Sequence, residues 1–255
     1  MKVTRVSVDV PTRAPTGATN AYVVGQDPAV LVDPAARSDA LDDAVADRGV
    51  EHVVATHTHP DHVGALAHYA DACHATTWAR YGRTRPFESA TGVVPDRELR
   101  DGDDVAGLTA IETPGHAVDH LAFRADDAVL CGDLAVAEGS VVVGHPEGDL
   151  RAYLTSLRRL HAQSPSVLHP GHGPAIESPR EACERLLAHR LDRERRVLAA
   201  VRDGADTVAA VTDAAYDKDL AGVRDLAEAT VHAHVQKLVH EGRVRWQDGR
   251  VHPVA

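Results

Sequence analysis

Short runs in which apolar and polar residues alternate open the chain, and this period of two predicts β-strands. The runs at Val3–Val10, Asn20–Gly25 and Ala29–Val32 follow one another closely, which favours an antiparallel meander. A helical pattern follows. Ser38 is a suitable N-cap for a helix through Asp47, with apolar residues four positions apart and a glycine just beyond its end.

The middle of the chain alternates further strands and helices. In order, the pattern predicts strand Glu51–Ala55, helix Val63–Ala70, strand Ala72–Thr77, strands Val105–Thr113, His120–Arg124 and Ala128–Cys131, one more strand at Val141–Gly144, helix Leu150–His161 and strand Val167–His169. Because the segment Tyr81–Pro95 contains Pro86 and Gly92, we predict an irregular loop there that borders a substrate pocket. These elements favour a mixed α/β (α+β) fold of two sheets with helices outside.

Beyond Pro179 the pattern becomes helical. It predicts a long connecting helix from Pro179 to about Arg202, helices Thr207–Tyr216 and Val223–His240, and a hairpin Arg243–Val251 that turns at Asp248-Gly249. Helix, helix and hairpin in this order are typical of a winged helix. We therefore predict two domains, residues 1–178 and 179–255.

Four metal-ligand side chains lie within six residues directly after the buried strand of the first half. His57, His59, Asp61 and His62 stand where that strand reaches the edge of its sheet. Imidazole nitrogens and a carboxylate suit zinc, and a site that leaves a position for water is catalytic rather than structural. The chain has 17 histidines, so a merely His-rich loop is the alternative.

Three later turns favour the metal site over that alternative. Each follows an apolar, strand-like run, contains glycine and presents one ligand-type residue: Thr113-Pro114-Gly115-His116, Cys131-Gly132-Asp133 and His169-Pro170-Gly171-His172. Strand ends converge on one edge of a sheet, where loops carry the chemistry.

These four motifs in this order resemble the ligand set of the metallo-β-lactamase-fold superfamily, over about Val3 to Pro174. The resemblance implies a four-layer αβ/βα sandwich. It also implies two zinc ions, with iron or manganese as alternatives, and this ligand set: His57, His59 and His116 on one ion, Asp61, His62 and His172 on the other, and Asp133 bridging both. A hydroxide held between the ions would be the nucleophile, so Asp61 and Asp133 would act in catalysis as ligands of the ions that hold it. Oxygen-reducing di-iron relatives usually have a carboxylate in place of His59, which favours hydrolysis.

Two further residues are candidates for supporting roles around the ligands. Asp33, at the end of a strand-like run, could fix a ligating imidazole or could simply be a turn residue before Pro34. His120 could line the pocket or could begin the next strand. Other histidines lack a ligand-bearing turn and are interpreted as surface or packing residues, among them His52, His68, His74, His145 and His161.

Composition indicates the cellular environment of the protein. We expect a cytoplasmic protein without a membrane partner, since the sequence has no run of 18 apolar residues and no basic-then-apolar leader. Three scattered cysteines argue against a disulfide framework. The net charge is −11, and only three of 27 basic residues are lysines, a pattern that suggests a salt-adapted (halophilic) surface. Arginine in place of lysine could also reflect a GC-rich genome.

Three functions fit these observations. The first is hydrolysis of a small ester, thioester or lactone. The second is cleavage of single-stranded RNA, because the carboxy-terminal pattern resembles the winged-helix extension of lactamase-β-2-like hydrolases, some of which act on RNA. The third is a winged-helix regulator with a metal-sensing domain. From Arg190 onward there are 11 basic and 11 acidic residues, so the net charge of this region is zero. Nucleic-acid binding usually requires a basic stripe, so this balance favours a domain that covers the mouth of the active site over one that binds nucleic acid.

Overall fold

A computed structural model describes residues 1–254, and two sheets form its centre. The first sheet has six strands in sequential order: β1 (Val3–Asp9), β2 (Ala18–Gly25), β3 (Ala29–Val32), β4 (Val50–Val54), β5 (Thr76–Arg80) and β6 (Arg97–Leu99). β1, β2 and β3 pair antiparallel, so the predicted meander is confirmed. From β3 to β6 the strands are parallel, which requires crossover connections.

The second sheet has five strands: β7 (Asp104–Val105), β8 (Leu108–Glu112), β9 (Leu121–Ala125), β10 (Ala128–Gly132) and β11 (Val167–Pro170). Their spatial order is β11-β10-β9-β8-β7, and only β10 and β11 pair in parallel. The single strand predicted at Val105–Thr113 is two strands instead. Ala106 and Gly107 both have positive φ, which gives the tight turn of a two-residue hairpin.

Helices cover the outer faces of the two sheets and also form much of the carboxy-terminal part: α1 (Asp39–Ala46), α2 (Pro60–Val63), α3 (Leu66–Cys73), α4 (Thr84–Thr91), α5 (Leu150–Gln163), α6 (Pro179–Arg202), α7 (Val208–Ala215) and α8 (Arg224–His240). Leu41, Tyr69 and Phe87 pack the first three long helices against the first sheet. Tyr153 and Leu186 pack α5 and α6 against the second. A third apolar cluster lies between the sheets, so the fold is the expected four-layer sandwich.

The loop predicted at Tyr81–Pro95 is wrong, because this segment contains α4. Pro86 lies in the first turn of the helix, where a missing N–H breaks no helical hydrogen bond. Gly92 has a φ of 73° and ends the helix in the left-handed conformation. Both residues taken as loop signals therefore mark the start and the end of a helix.

Other predicted elements are displaced. The helix predicted at Val63–Ala70 is divided into α2 and α3, and α3 continues to Cys73, so the strand predicted at Ala72–Thr77 begins only at Thr76. The segment Val141–Gly144 is not a strand. The Val141 and Val142 carbonyls accept from side chains, and the neighbouring His145 donates its N–H to the Ala229 carbonyl of α8 rather than to a strand.

The carboxy-terminal part has the helix, helix and hairpin order that the sequence predicts. The hairpin consists of β12 (Val244–Gln247) and β13 (Arg250–Pro253). α6 joins the two parts, since Cys183 and Leu186 pack in the core of the second sheet, whereas Val197 and Val201 pack against α7, α8 and the hairpin. Among the described helices, none combines the length and the apolar character needed to span a membrane.

Candidate metal centre

The loops that follow four strands meet at one edge of the two sheets. His57 and His59 follow β4, His116 follows β8, Asp133 follows β10 directly, and His172 follows β11. β8, β10 and β11 run in the same direction, so their carboxyl ends share this edge. The Leu121 N–H donates to the Thr56 carbonyl over 2.7 Å, which joins the β4 end to the second sheet.

The first group of donors consists of three histidines. Nε2 of His57 lies 3.0 Å from Nδ1 of His59, and Nε2 of His116 lies 2.9 Å from the same Nδ1 atom. Three ring nitrogens thus point at one position.

The second group contains Asp61, His62 and His172, whose donor atoms lie within 4.8 Å of one another. Asp133 lies between the groups. Its Oδ1 is 3.7 Å from Nε2 of His62, and its Oδ2 is 3.5 Å from Nε2 of both His116 and His172. The structure therefore brings all seven sequence-predicted ligands together, with one carboxylate facing both groups.

Each of the five imidazoles has its other ring nitrogen held by an oxygen atom. The partners are Thr56 Oγ1 for His57, Glu147 Oε2 for His59, Asp33 Oδ2 for His62, the Val142 carbonyl for His116 and the Ala18 carbonyl for His172, at 2.7 to 3.1 Å. Thr56 donates its own hydroxyl hydrogen to Asp33, so it can accept from His57. In the neutral form of each ring the N–H faces an acceptor, and the remaining lone pair faces the cluster.

This arrangement fits metal ions. Lone pairs of neutral imidazoles repel one another at about 3 Å unless a cation lies between them. Nε2 of His62 and Oδ1 of Asp133 are also buried without a hydrogen-bond partner, which is costly for polar atoms that have no ligand. Nitrogen and carboxylate oxygen donors suit zinc, and they also accept iron or manganese.

Burial and neighbouring charges shift the pKa values of the group. Burial, reinforced by the surrounding histidines, lowers the pKa of His57 well below its ordinary value. Burial also lowers the pKa of His62, but the carboxylates of Asp33 and Asp133 outweigh it and raise that pKa to about 9. Burial alone would raise the pKa of Asp133, yet the histidines around it hold that pKa far below its usual range.

The two supporting candidates lie behind the ligands. Asp33 is fully buried and, besides His62, accepts the Thr56 N–H at 2.6 Å. His120 does not line an open pocket. It is fully buried, its Nε2 accepts the backbone N–H of Asp133 at 3.1 Å, and its Nδ1 lies 2.8 Å from the Thr113 hydroxyl. Burial lowers the pKa of His120 to about 3, so the ring is neutral.

Three residues at the site have no signal in the sequence that sets them apart from other polar residues. Asp119 accepts the N–H and hydroxyl of Thr58, which fixes the turn between His57 and His59. The Thr12 hydroxyl donates to Asp61 at 2.5 Å. Glu147 reaches His59 from 88 positions away.

None of the five histidines interpreted as surface or packing residues belongs to a donor group among residues 1–254: His52, His68, His74, His145 and His161. His145 does not touch a ligand itself, but it belongs to the same segment as Glu147, which contacts His59. Cys131, two residues before Asp133, is buried in the core of the second sheet.

Fold, donor set and sequence similarity define the class of this protein. Residues 14–172 match the family model of the metallo-β-lactamase superfamily, which is well over half of the chain. The chain belongs to that superfamily and is a hydrolase of that class.

Two relatives and one solved structure illustrate the similarity. A beta-lactamase-like protein 2 homolog of Caenorhabditis elegans is 30% identical over 203 residues, 76% of this chain and 67% of that protein. An atrochrysone carboxyl ACP thioesterase of Aspergillus fumigatus is 28% identical over 217 residues, 79% of this chain and 65% of that protein. The crystal structure of a metallo-beta-lactamase family protein from Thermus thermophilus superimposes with a TM-score of 0.81 at 25% identity, covering 99% of this chain and 98% of that one.

Proposed function

We propose that the protein is a binuclear metal-dependent hydrolase that cleaves a thioester, ester or lactone of modest size, with zinc as the preferred metal. The observation that carries the proposal is the orientation of the five imidazoles. Each has one nitrogen fixed by an acceptor, and the other aimed at Asp133 or at a neighbouring lone pair.

The donor atoms divide between two positions. His57, His59 and His116 would hold one ion, Asp61, His62 and His172 the second, and Asp133 both. When bound, two zinc ions polarise a carbonyl oxygen and lower the pKa of water from about 15.7 to about 7.

The protein residues contribute position and charge. Thr12 fixes the Asp61 carboxylate, and His120 fixes the backbone of Asp133. The low pKa of Asp133 keeps its carboxylate ionised, so both of its oxygens are available as ligands.

The thioester preference is supported by the thioesterase from Aspergillus fumigatus, which is similar over 79% of this chain. A carbonyl substrate needs no side-chain nucleophile. The donor groups formed within residues 1–254 include no cysteine, and Cys131, the cysteine nearest to Asp133 in sequence, is buried with its pKa raised by burial.

We also propose that residues 179–255 form a winged-helix domain that borders the mouth of this site. Arg13 follows Thr12, which touches Asp61, and its guanidinium lies 3.0 Å from both carboxylate oxygens of Asp225 in α8. The domain is electrically neutral overall, which favours a role in substrate entry over RNA binding.

One panel of substrates tests the proposal. Zinc-loaded protein is incubated with acyl thioesters, aryl esters, lactones and labelled single-stranded RNA, alongside Asp133→Ala as the matched variant and a thermal unfolding control. We expect thioester or ester hydrolysis that disappears after chelation and falls at least about 100-fold in Asp133→Ala, with about two zinc ions per wild-type chain.

Metal-dependent RNA cleavage without thioester, ester or lactone hydrolysis would replace this proposal with the ribonuclease alternative. Full activity in Asp133→Ala, with one tightly bound metal or none, would contradict the binuclear site.

A further inference from the structure

The segment 141–148, between β10 and α5, touches two of the three histidines in the first donor group. The Val142 carbonyl accepts the Nδ1–H of His116 at 2.7 Å, and Glu147 Oε2 lies 3.0 Å from Nε2 of His59. This segment has no regular secondary structure of its own. What holds it therefore also holds those two imidazoles.

The segment is held by the carboxy-terminal helices. His145 donates its N–H to the Ala229 carbonyl of α8 at 3.0 Å, and its ring stacks on His232 with centroids 3.9 Å apart. The buried guanidinium of Arg190 in α6 donates to the Val141 carbonyl.

The backbone of the segment also packs closely against α8 at Gly144. A Cβ atom at position 144 would lie 2.9 Å from the Cβ of Ala229, so only glycine lets the segment pack this closely on α8. α8 and α6 thus fix the segment that contacts the donor group.

The second donor group is held by other elements. His62 is fixed by Asp33, His172 by the Ala18 carbonyl and Asp61 by Thr12, all from the first 33 residues of the chain. The second group therefore depends on the amino-terminal residues, whereas His59 and His116 of the first group depend on the segment 141–148.

We propose that Glu147 is a positioning residue for the first donor group, and that α8 controls this group through the segment 141–148. The inference rests on the proposed metal-dependent function. By accepting the Nε2–H of His59, Glu147 leaves the Nδ1 lone pair directed at the metal position and makes that nitrogen a stronger donor.

The exposure of the Glu147 side chain sets how strongly its loss should weaken zinc binding. Losing a carboxylate that orients a ligating imidazole typically weakens metal binding by about 10- to 100-fold. The Glu147 side chain is 68% exposed, so water screens the contact, and we expect a loss of about tenfold, at the lower end of that range.

The test isolates each donor group in the full-length chain. Asp61→Ala removes a ligand of the second group only, and His116→Ala removes a ligand of the first. Zinc affinity is measured by competition with a chromophoric chelator in both backgrounds, with Glu147 intact, Glu147→Ala or Glu147→Gln, and thermal unfolding verifies the fold. Glu138→Gln is the control, because Glu138 is an exposed acid of the same connection with no hydrogen bond to a ligand.

In the Asp61→Ala background, Glu147→Ala should weaken zinc binding about tenfold, and Glu147→Gln, which keeps an acceptor oxygen, should weaken it less. In the His116→Ala background, neither substitution should change the affinity. An equal loss in both backgrounds, or no loss in the first, would overturn the role of Glu147.

His232→Ala tests the connection to α8. It removes the stacking partner of His145 and should weaken zinc binding in the Asp61→Ala background only, by less than Glu147→Ala does. No change there would overturn control by α8. If the wild-type chain binds one zinc ion instead of two, the binuclear proposal fails, but the Asp61→Ala comparison still decides the role of Glu147.

Discussion

Nδ1 of His62 lies 3.0 Å from Oδ2 of Asp33, and both side chains are closed to solvent, at 0% and 1% exposure. Asp33 also accepts both the N–H and the hydroxyl of Thr56. The Asp33 carboxylate therefore orients the candidate ligand His62 in α2 and also fixes the backbone directly after β4.

Asp33→Asn is expected to destabilise the protein by about 3 kcal/mol, because the amide presents donors where three donors already converge. Zinc affinity should fall about 10- to 100-fold in the same variant. Urea unfolding and chelator competition measure the two effects. Asp71→Asn, at an exposed position of α3, is the matched control, and an unfolding free energy for Asp33→Asn as high as that of this control would contradict the prediction.

Gly171 allows the backbone to pass close to two of the candidate ligands. A Cβ atom there would lie 2.6 Å from Oδ1 of Asp133 and 2.6 Å from Cε1 of His62. Gly171→Ala should therefore displace the Asp133 carboxylate and lower the zinc content below the proposed two ions per chain, as elemental analysis would detect. Gly49→Ala is the control, since the closest contact of its new methyl group is the flexible Asp27 carboxylate at 3.2 Å, and equal zinc content in both variants would argue against the crowding.

His234 of α8 makes stability depend on pH. Its two ring nitrogens are buried without hydrogen-bond partners, and burial, with Arg190 and Arg193 nearby, lowers its pKa well below the ordinary 6.5. Below pH 6.5 the unfolded chain binds a proton that the folded chain refuses, so stability falls as the pH decreases.

His234→Leu should remove up to about 1.4 kcal/mol per pH unit from the slope of the unfolding free energy between about pH 6.5 and 5. Urea unfolding at several pH values, with the exposed His240→Gln as control, provides the measurement. Parallel curves for wild type and His234→Leu would show that this ring has no part in acid sensitivity.

The net charge of −11 predicts that salt stabilises the protein. Self-repulsion among carboxylates weakens as the screening length falls to about 3 Å at 1 M salt. The midpoint of thermal unfolding should rise between dilute buffer and molar potassium chloride. A midpoint that is already maximal in dilute buffer would contradict salt adaptation.

The positions of the seven donors could be predicted because they follow β4, β8, β10 and β11, whose carboxyl ends lie at one edge of the two sheets. The sequence could not predict Glu147 or Asp119, since their contacts with His59 and Thr58 depend on loops brought together only by the folded chain. α4 was missed for a local reason: Pro86 and Gly92 are helix boundary residues as well as loop residues, and the burial of Phe87 decides between the two.

α6 contributes to the cores of both parts of the protein, which makes it difficult to separate them. Its first turns complete the core beneath the second sheet with Cys183 and Leu186, and its last turns complete the carboxy-terminal core with Val197 and Val201. If the carboxy-terminal part of this enzyme is exchanged for another, the junction should lie after Arg202. A junction at Pro179 would remove Cys183 and Leu186 from the core of the part that contains the candidate metal centre.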